Sequence, residues 1–131
     1  MGGKKIKIAI NGFGRIGRLF FRQAIEEPSF EISAINDLGD LDNLAYLLKY
    51  DSVYRKFPGE VSIKKSGDKN YLTINGKETL VLQEKDPTKL PWKDMEIDVV
   101  VESTGVFESF EKAKAHLDVG AKKVVMTSPA K

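Results

Sequence analysis

The sequence predicts an α/β fold: a doubly wound, mostly parallel sheet carrying an antiparallel hairpin insertion. Three observations predict it. The stretch from Lys5 to Arg22 begins with strand alternation and ends with helical spacing. Apolar runs of strand length then alternate with helix-period segments along the chain, the pattern of a parallel sheet with right-handed crossovers. Between two alternating runs stands Asn75-Gly76, the strongest short-range hairpin signal.

In the first stretch, Ile6, Ile8 and Ile10 fall on one strand face, and Ile16, Leu19, Phe20 and Ala24 recur at helical spacing. Gly12, Gly14 and Gly17 lie between and within these runs as G-x-G-x-x-G. Gly12 is expected to permit a tight turn, Gly14 to let a pyrophosphate approach the backbone, and Gly17 to let helix and strand pack closely. The amides of Phe13, Gly14, Arg15 and Ile16 then open the helix, where unpaired N–H groups and the dipole favour a phosphate. A glycine pattern alone is weak evidence. Its support is Asp37, 20 residues beyond Gly17 at the end of the run Phe30 to Asp37, a placement that suits a carboxylate accepting the ribose hydroxyls of an adenosine. Strand, glycines, helix, second strand and acid in this order predict a dinucleotide-binding (Rossmann) domain.

Further along, Asp40 or Asp42 caps a short helix with Leu41, Leu44, Ala45 and Leu48 on one face, expected to serve packing alone. Tyr50 to Gly59 is expected to be an irregular loop. Glu60 to Lys64, Tyr71 to Ile74 and Thr79 to Lys85 form the insertion, and its last run doubles as a strand of the main sheet. Asp86-Pro87-Thr88 starts a helical turn that Pro91 and Trp92 end. Ile97 to Glu102 is a β-branched run expected of a buried parallel strand. A helix from Ser109 to Val119 should turn Phe110, Ala113 and Leu117 inward and stop at Gly120. Lys123 to Thr127 is the last strand. Five strands of the main sheet are placed in this way, against six in a complete doubly wound sheet of order 3-2-1-4-5-6, so the sheet is expected to stop before its last strand.

At 131 residues the chain is expected to be one domain throughout, residues 1–131. Its net charge of +2 and scattered lysines leave no footprint for nucleic acid. No apolar run approaches the length of a membrane span, and the start leads straight into a strand rather than a signal-peptide core. A cytoplasmic location is expected. With 0 cysteines, disulfides, thiolate metal clusters and a thiol nucleophile are excluded within these residues; no metal site is expected.

Motifs along nearly the whole chain are similar to the phosphorylating glyceraldehyde-3-phosphate dehydrogenase family. They are I-N-G-F-G-R-I-G-R at Ile10 to Arg18, I-N-D-L at Ile35 to Leu38, and L-L-K-Y-D-S at Leu47 to Ser52. E-K-D-P at Glu84 to Pro87, V-V-E-S-T-G-V-F at Val100 to Phe107 and G-A-K-K-V-V at Gly120 to Val125 continue the match. The resemblance covers the nucleotide-binding domain at the front of such an enzyme and not its catalytic domain. It implies NAD as cofactor, a triose phosphate as substrate of the whole enzyme, and a homotetrameric parent. Carried over by residue, the amides of Arg15 and Ile16 would hold the pyrophosphate, and Asp37 the adenosine ribose. Leu38 and Phe107 would flank the adenine, beside Ser103, Thr104 and Gly105. The carbonyl of Lys85 would accept from the adenine amino group, and Thr127 would face the nicotinamide half near the turn at Asn11. Asn36 joins the cofactor-binding set next to Asp37. Three positions depart from the family pattern: Lys85 where Arg is common, Thr127 where Ser is common, and Tyr54-Arg55 in place of His-Gly.

In the resembled family a cysteine in Ser-Cys-Thr-Thr-Asn, activated by a histidine, forms a thiohemiacetal; hydride passes from it to NAD, and phosphate releases the acyl group. Neither group is expected in this chain. Its single histidine, His116, is expected in a surface or packing role with no carboxylate partner implied, and Glu102 in a structural one. No catalytic residue is assigned, and the chain is expected to bind NAD without oxidising substrate. An N-terminal domain of erythrose-4-phosphate dehydrogenase and a non-catalytic, stand-alone NAD-binding module are the alternatives.

Overall fold

A computed structural model describes residues 5–50, 60–103 and 110–126, with backbone alone for 110–112. Strand β1 (Ile6–Asn11) leads into helix α1 (Arg15–Ala24), and β2 (Phe30–Asn36) into α2 (Leu41–Tyr50). A meander follows: β3 (Val61–Ser66), β4 (Lys69–Ile74) and β5 (Lys77–Leu82). After a single 3-10 turn at Pro87–Lys89 come β6 (Val99–Glu102), α3 (Phe110–Asp118) and β7 (Lys123–Met126). Of the loop expected from Tyr50 to Gly59, Tyr50 instead ends α2, and 51–59, like Ser109 and Thr127, lie outside the described residues.

The strands form one sheet in the order β3-β4-β5-β2-β1-β6-β7. β5, β2, β1, β6 and β7 are parallel neighbours, while β3 with β4 and β4 with β5 are antiparallel. The parallel part therefore runs 3-2-1-4-5 in doubly wound numbering, with β5 serving both hairpin and main sheet as expected. Local backbone chemistry explains the hairpins. Asn75 and Gly76 have φ of 51° and 84°, the left-handed pair that a two-residue turn matching strand twist requires. The Asn75 side chain also accepts from the Glu60 amide at 2.9 Å.

Alternation along the central strands splits the core between the two sheet faces. Ile8, Ile10, Ile32, Ile35, Val81 and Val101 meet Phe21 and Ala24 of α1 and Leu41, Leu44 and Leu48 of α2. Ala9, Ala34 and Val100 meet Leu90, Trp92, Ile97 and Ala121 on the other side. Asp40 is the cap of α2: its carbonyl accepts from Leu44 N at 2.9 Å and its carboxylate lies 3.4 Å from Asn43 N. Arg22 of α1 donates to the Leu48 carbonyl near the end of α2, tying the two helices together.

Two helix faces differ from expectation by one position. In α1 the buried residues are Gly17, Phe21 and Ala24, whereas Ile16 is 48% exposed and Leu19 and Phe20 are only partly covered. The reason is steric. A Cβ on Gly17 would lie 2.4 Å from the Gly12 carbonyl oxygen and 2.9 Å from Ser103 Oγ, so Gly17 must be the residue facing the turn. Positions i+4 and i+7 from it, Phe21 and Ala24, then follow it inward. In α3, where the side chain of the expected Phe110 lies outside the described residues and Ala113 is half-buried, Leu117 is 45% exposed and the fully buried residue among those described is His116, at 0%. That helix ends in a Schellman motif: Ala121 N donates to His116 O at 3.1 Å and Gly120 N to Leu117 O at 3.1 Å. Gly120 adopts φ 114° and packs on the Lys93 backbone, which fixes the helix rotation.

Asp86 caps the 3-10 turn, accepting from Thr88 N at 2.9 Å and Thr88 Oγ1 at 2.7 Å. These hydrogen bonds hold its carboxyl below the ordinary value of 3.8. A depressed folded value means that the contribution is complete above the unfolded value and is lost as pH falls through the folded one. The stability difference between wild type and Asp86→Ala should therefore shrink as pH is lowered below 3.8; a difference unchanged in urea unfolding down to the acid transition would contradict the cap. Gly17→Ala should cost about 1–3 kcal/mol through overpacking against backbone that cannot retreat, measured by the same unfolding.

Candidate cofactor-binding site

The carboxyl ends of β1, β2 and β6 converge, with Asn11 in register with both Asn36 and Glu102. In an open parallel sheet this is the end where ligands bind. The chain leaves β1 through Gly12, whose φ of 97° excludes a side chain at low strain. Gly12 N donates to Asn36 O at 2.8 Å, and Ser103 N to Asn11 O at 2.8 Å. Ser103 Oγ donates to the Gly12 carbonyl at 2.5 Å, and Arg18 Nη1 to the Phe13 carbonyl at 3.0 Å. The Phe13 ring is buried edge-on against Phe21, with centroids 5.6 Å apart. The turn is thus braced by groups at the ends of β2 and β6 and by Arg18 of α1.

Its open side is the start of α1. Gly14 is the N-cap, with no side-chain cap bond and no acid in the first turn. The helical ladder begins with Arg18 N donating to Gly14 O at 2.9 Å, so the amides of Arg15 and Ile16 precede it and face outward for an anion. A Cβ on Gly14 would meet nothing within 4 Å. That free space over the helix end is what an approaching pyrophosphate needs.

Asp37 stands beside this turn. Its Oδ2 accepts from Phe13 N at 2.7 Å and its Oδ1 from Gly39 N at 2.8 Å. Phe13 N is thereby committed to the carboxylate rather than to a phosphate, while each Asp37 oxygen keeps a second lone pair for a hydroxyl. Leu38, next in sequence, is 62% exposed, an apolar surface beside the carboxylate. Lys85 is exposed on the neighbouring segment after β5. Thr104, Gly105, Phe107 and Thr127 lie outside the described residues. Two concave regions, of about 280 and 460 Å³, are lined by other residues, and neither includes the glycine turn or Asp37.

Asn11 and Asn36 are buried, and their carboxamides serve the protein itself. Asn36 Nδ2 donates to Asn11 Oδ1 at 2.8 Å, and Asn11 Nδ2 to Glu102 Oε1 at 2.8 Å. His116 Nε2 lies 2.8 Å from the same Glu102 oxygen. Trp92 Nε1 donates to His116 Nδ1 at 3.0 Å. An indole N–H only donates, so Nδ1 accepts and Nε2 carries the hydrogen given to Glu102. This row went unforeseen in the sequence, where His116 had no partner. The available signals were a single acid ending a buried β-branched run and a lone Trp.

The family model for the glyceraldehyde 3-phosphate dehydrogenase NAD binding domain matches residues 6–110. The chain belongs to this family. Glyceraldehyde-3-phosphate dehydrogenase of Thermotoga maritima is 57% identical over 127 residues, covering 95% of this chain and 37% of that protein. The same enzyme of Clostridium acetobutylicum is 55% identical over 124 residues, and that of Geobacillus stearothermophilus 51% over 126; each is covered to 36% of its length. The chain thus spans little more than a third of the curated relatives it matches. NAD is the cofactor of this glyceraldehyde 3-phosphate dehydrogenase family domain, and the uncapped helix, the space over Gly14 and the oriented Asp37 suit it. Among the described residues no helix is long and apolar enough to cross a membrane.

Gly14→Ala separates stability from binding. The open space around its Cβ predicts a stability change within about 0.5 kcal/mol, whereas NAD affinity should fall at least about tenfold because the methyl occupies the approach of the pyrophosphate. Thermal unfolding and calorimetric titration of the same variant check both halves.

Proposed function

We propose that this chain is the NAD-binding part of a cytoplasmic enzyme that oxidises and phosphorylates glyceraldehyde 3-phosphate, with the parent a homotetramer. The observation that carries the reading is the Asp37 carboxylate fixed by the Phe13 and Gly39 amides at 2.7 and 2.8 Å beside an uncapped helix N-terminus. In this reading Gly12, Gly14, Arg15 and Ile16 form the pyrophosphate turn, and Asp37 takes the adenosine ribose. Leu38, Phe107, Ser103, Thr104, Gly105 and the Lys85 carbonyl surround the adenine. Thr127 and the turn at Asn11 face the nicotinamide, which in the bound cofactor is the hydride acceptor. The identity of the relatives supports the substrate; the absence of cysteine from the sequence supports a chain that binds and does not react.

NAD should bind more tightly than NADP, because the Asp37 charge opposes a 2′-phosphate and Leu38 offers no compensating cation. Asp37→Ala should weaken NAD, narrow that preference, and lower stability by about 1–3 kcal/mol by leaving the buried Phe13 N–H without its acceptor. ADP-ribose should bind within about tenfold of NAD, a difference under about 1.4 kcal/mol, since the groups described here grip the adenosine half. Competitive titration of NAD, NADP, ADP-ribose and nicotinamide mononucleotide measures all three. Equal NADP binding, or NADH formation from glyceraldehyde 3-phosphate by these 131 residues, would contradict the reading.

A further inference from the structure

We infer that Asn36 is a positioning residue of the cofactor site, a buried amide that sets the spacing between its two walls, the glycine turn and the Glu84–Asp86 segment. The inference rests on the nucleotide-binding reading above and concerns how that site is held.

The β2–β5 register ends at Asn36 with Leu82, closed by a backbone bond from Asp37 N to Leu82 O at 3.0 Å. Beyond it, the Asn36 side chain takes over the strand's role. Its Oδ1 accepts from Glu84 N at 2.8 Å, and its Nδ2 donates to Glu84 O at 2.9 Å. The backbone N–H and C=O of Glu84 together fix which end of the carboxamide is which. The second Nδ2 hydrogen goes to Asn11 Oδ1 at 2.8 Å, the residue from which the glycine turn departs. Both hydrogens and the oxygen are therefore used, in a pattern only a carboxamide can supply. Asn11 in turn donates to Glu102, which also bonds His116, itself bonded to Trp92; the last two are fully buried. The glycine turn is thus tied to the Glu84–Asp86 segment through Asn36, and the tie is anchored in the core. Asp37 and Leu38 lie directly after it in sequence, between those walls.

A ligand that spans both walls benefits from their fixed spacing; a fragment that touches one wall does not. Asn36→Asp keeps the shape and the acceptor for Glu84 N but removes both donors. In this variant ADP-ribose should bind about tenfold or more weakly, while adenosine and inorganic pyrophosphate, titrated separately, each stay within about twofold of wild type. Unchanged ADP-ribose affinity, or a parallel fall for all three ligands, would overturn the inference. Emission from Trp92, the sole tryptophan, reports whether the variant is folded, and Asn36→Ser carries the same comparison if the aspartate does not fold. For the unsubstituted chain, side-chain amide protons of Asn36 should exchange slowly with solvent before any ligand is added; rapid exchange would mean that the tie is not preformed and would also overturn it. Wild-type protein that fails to bind ADP-ribose at all refutes the nucleotide reading itself, a result distinguished by appearing before any substitution is made.

Discussion

Helix α1 crosses the end of β1 so closely that no side chain fits between them at Gly17, where a Cβ would stand 2.4 Å from the Gly12 oxygen. Much of the domain depends on this hard contact. It fixes the rotation of α1, and so chooses Phe21 and Ala24 as its core residues. It places the first turn of the helix directly over the strand end, so that the amides of Arg15 and Ile16 open where the turn leaves space. It also brings Phe21 edge-on to Phe13, locking the ring behind the turn. Steric exclusion is a severe constraint because it leaves one arrangement rather than a range of similar ones.

The parts of the fold legible in sequence are those governed by backbone stereochemistry. Gly12, Gly76 and Gly120 take positive φ where a turn or a helix stop was expected, and Asp86 caps its turn through its own carboxylate. Steric limits of this kind act within a few residues and need no knowledge of the rest of the chain. Rotation of the helices was less legible. Phe20 and Phe21 are equally apolar, and apolar spacing does not separate adjacent positions; the contact at Gly17 does. For α3 the sequence left His116 between a surface and a packing role; its hydrogen bonds with Trp92 and Glu102 bury it fully. At the site, the glycine turn and Asp37 were readable from their spacing. Asp37's bond to the Phe13 amide and the buried use of Asn11 and Asn36 were not, because they join strands far apart in the chain.

The row from Trp92 to Glu84 is costly to build. Polar groups taken from water need partners of good geometry, and a half-satisfied row would be worse than an apolar one. Here the donors and acceptors alternate: indole to imidazole, imidazole to carboxylate, amide to carboxylate, amide to amide, amide to backbone. Apolar side chains could fill the same volume, but they would pack in several ways. Directional bonds reduce the choice, which suits the end of a sheet whose strands carry the binding loops. Its two sides also differ: the α1 face is fixed by steric contact, and the strand ends are fixed by hydrogen bonds.

The outermost strands of the sheet are unlike each other. β3 presents Ser62, Lys64, Lys65 and Ser66 to solvent, and Lys64 reaches over β4 to pair with Glu78 of β5 at 2.5 Å. A lysine-bearing edge resists the addition of another strand, since an incoming backbone would have to displace hydrated charge. β7, at the other end of the order, carries a single exposed lysine, Lys123, and exposes Val125 at 51%; in a doubly wound sheet it is the neighbour of the sixth strand. Among the described residues, then, β3 is guarded by charge along its length, so that an unwanted copy of this chain would meet hydrated lysines there rather than a bare backbone.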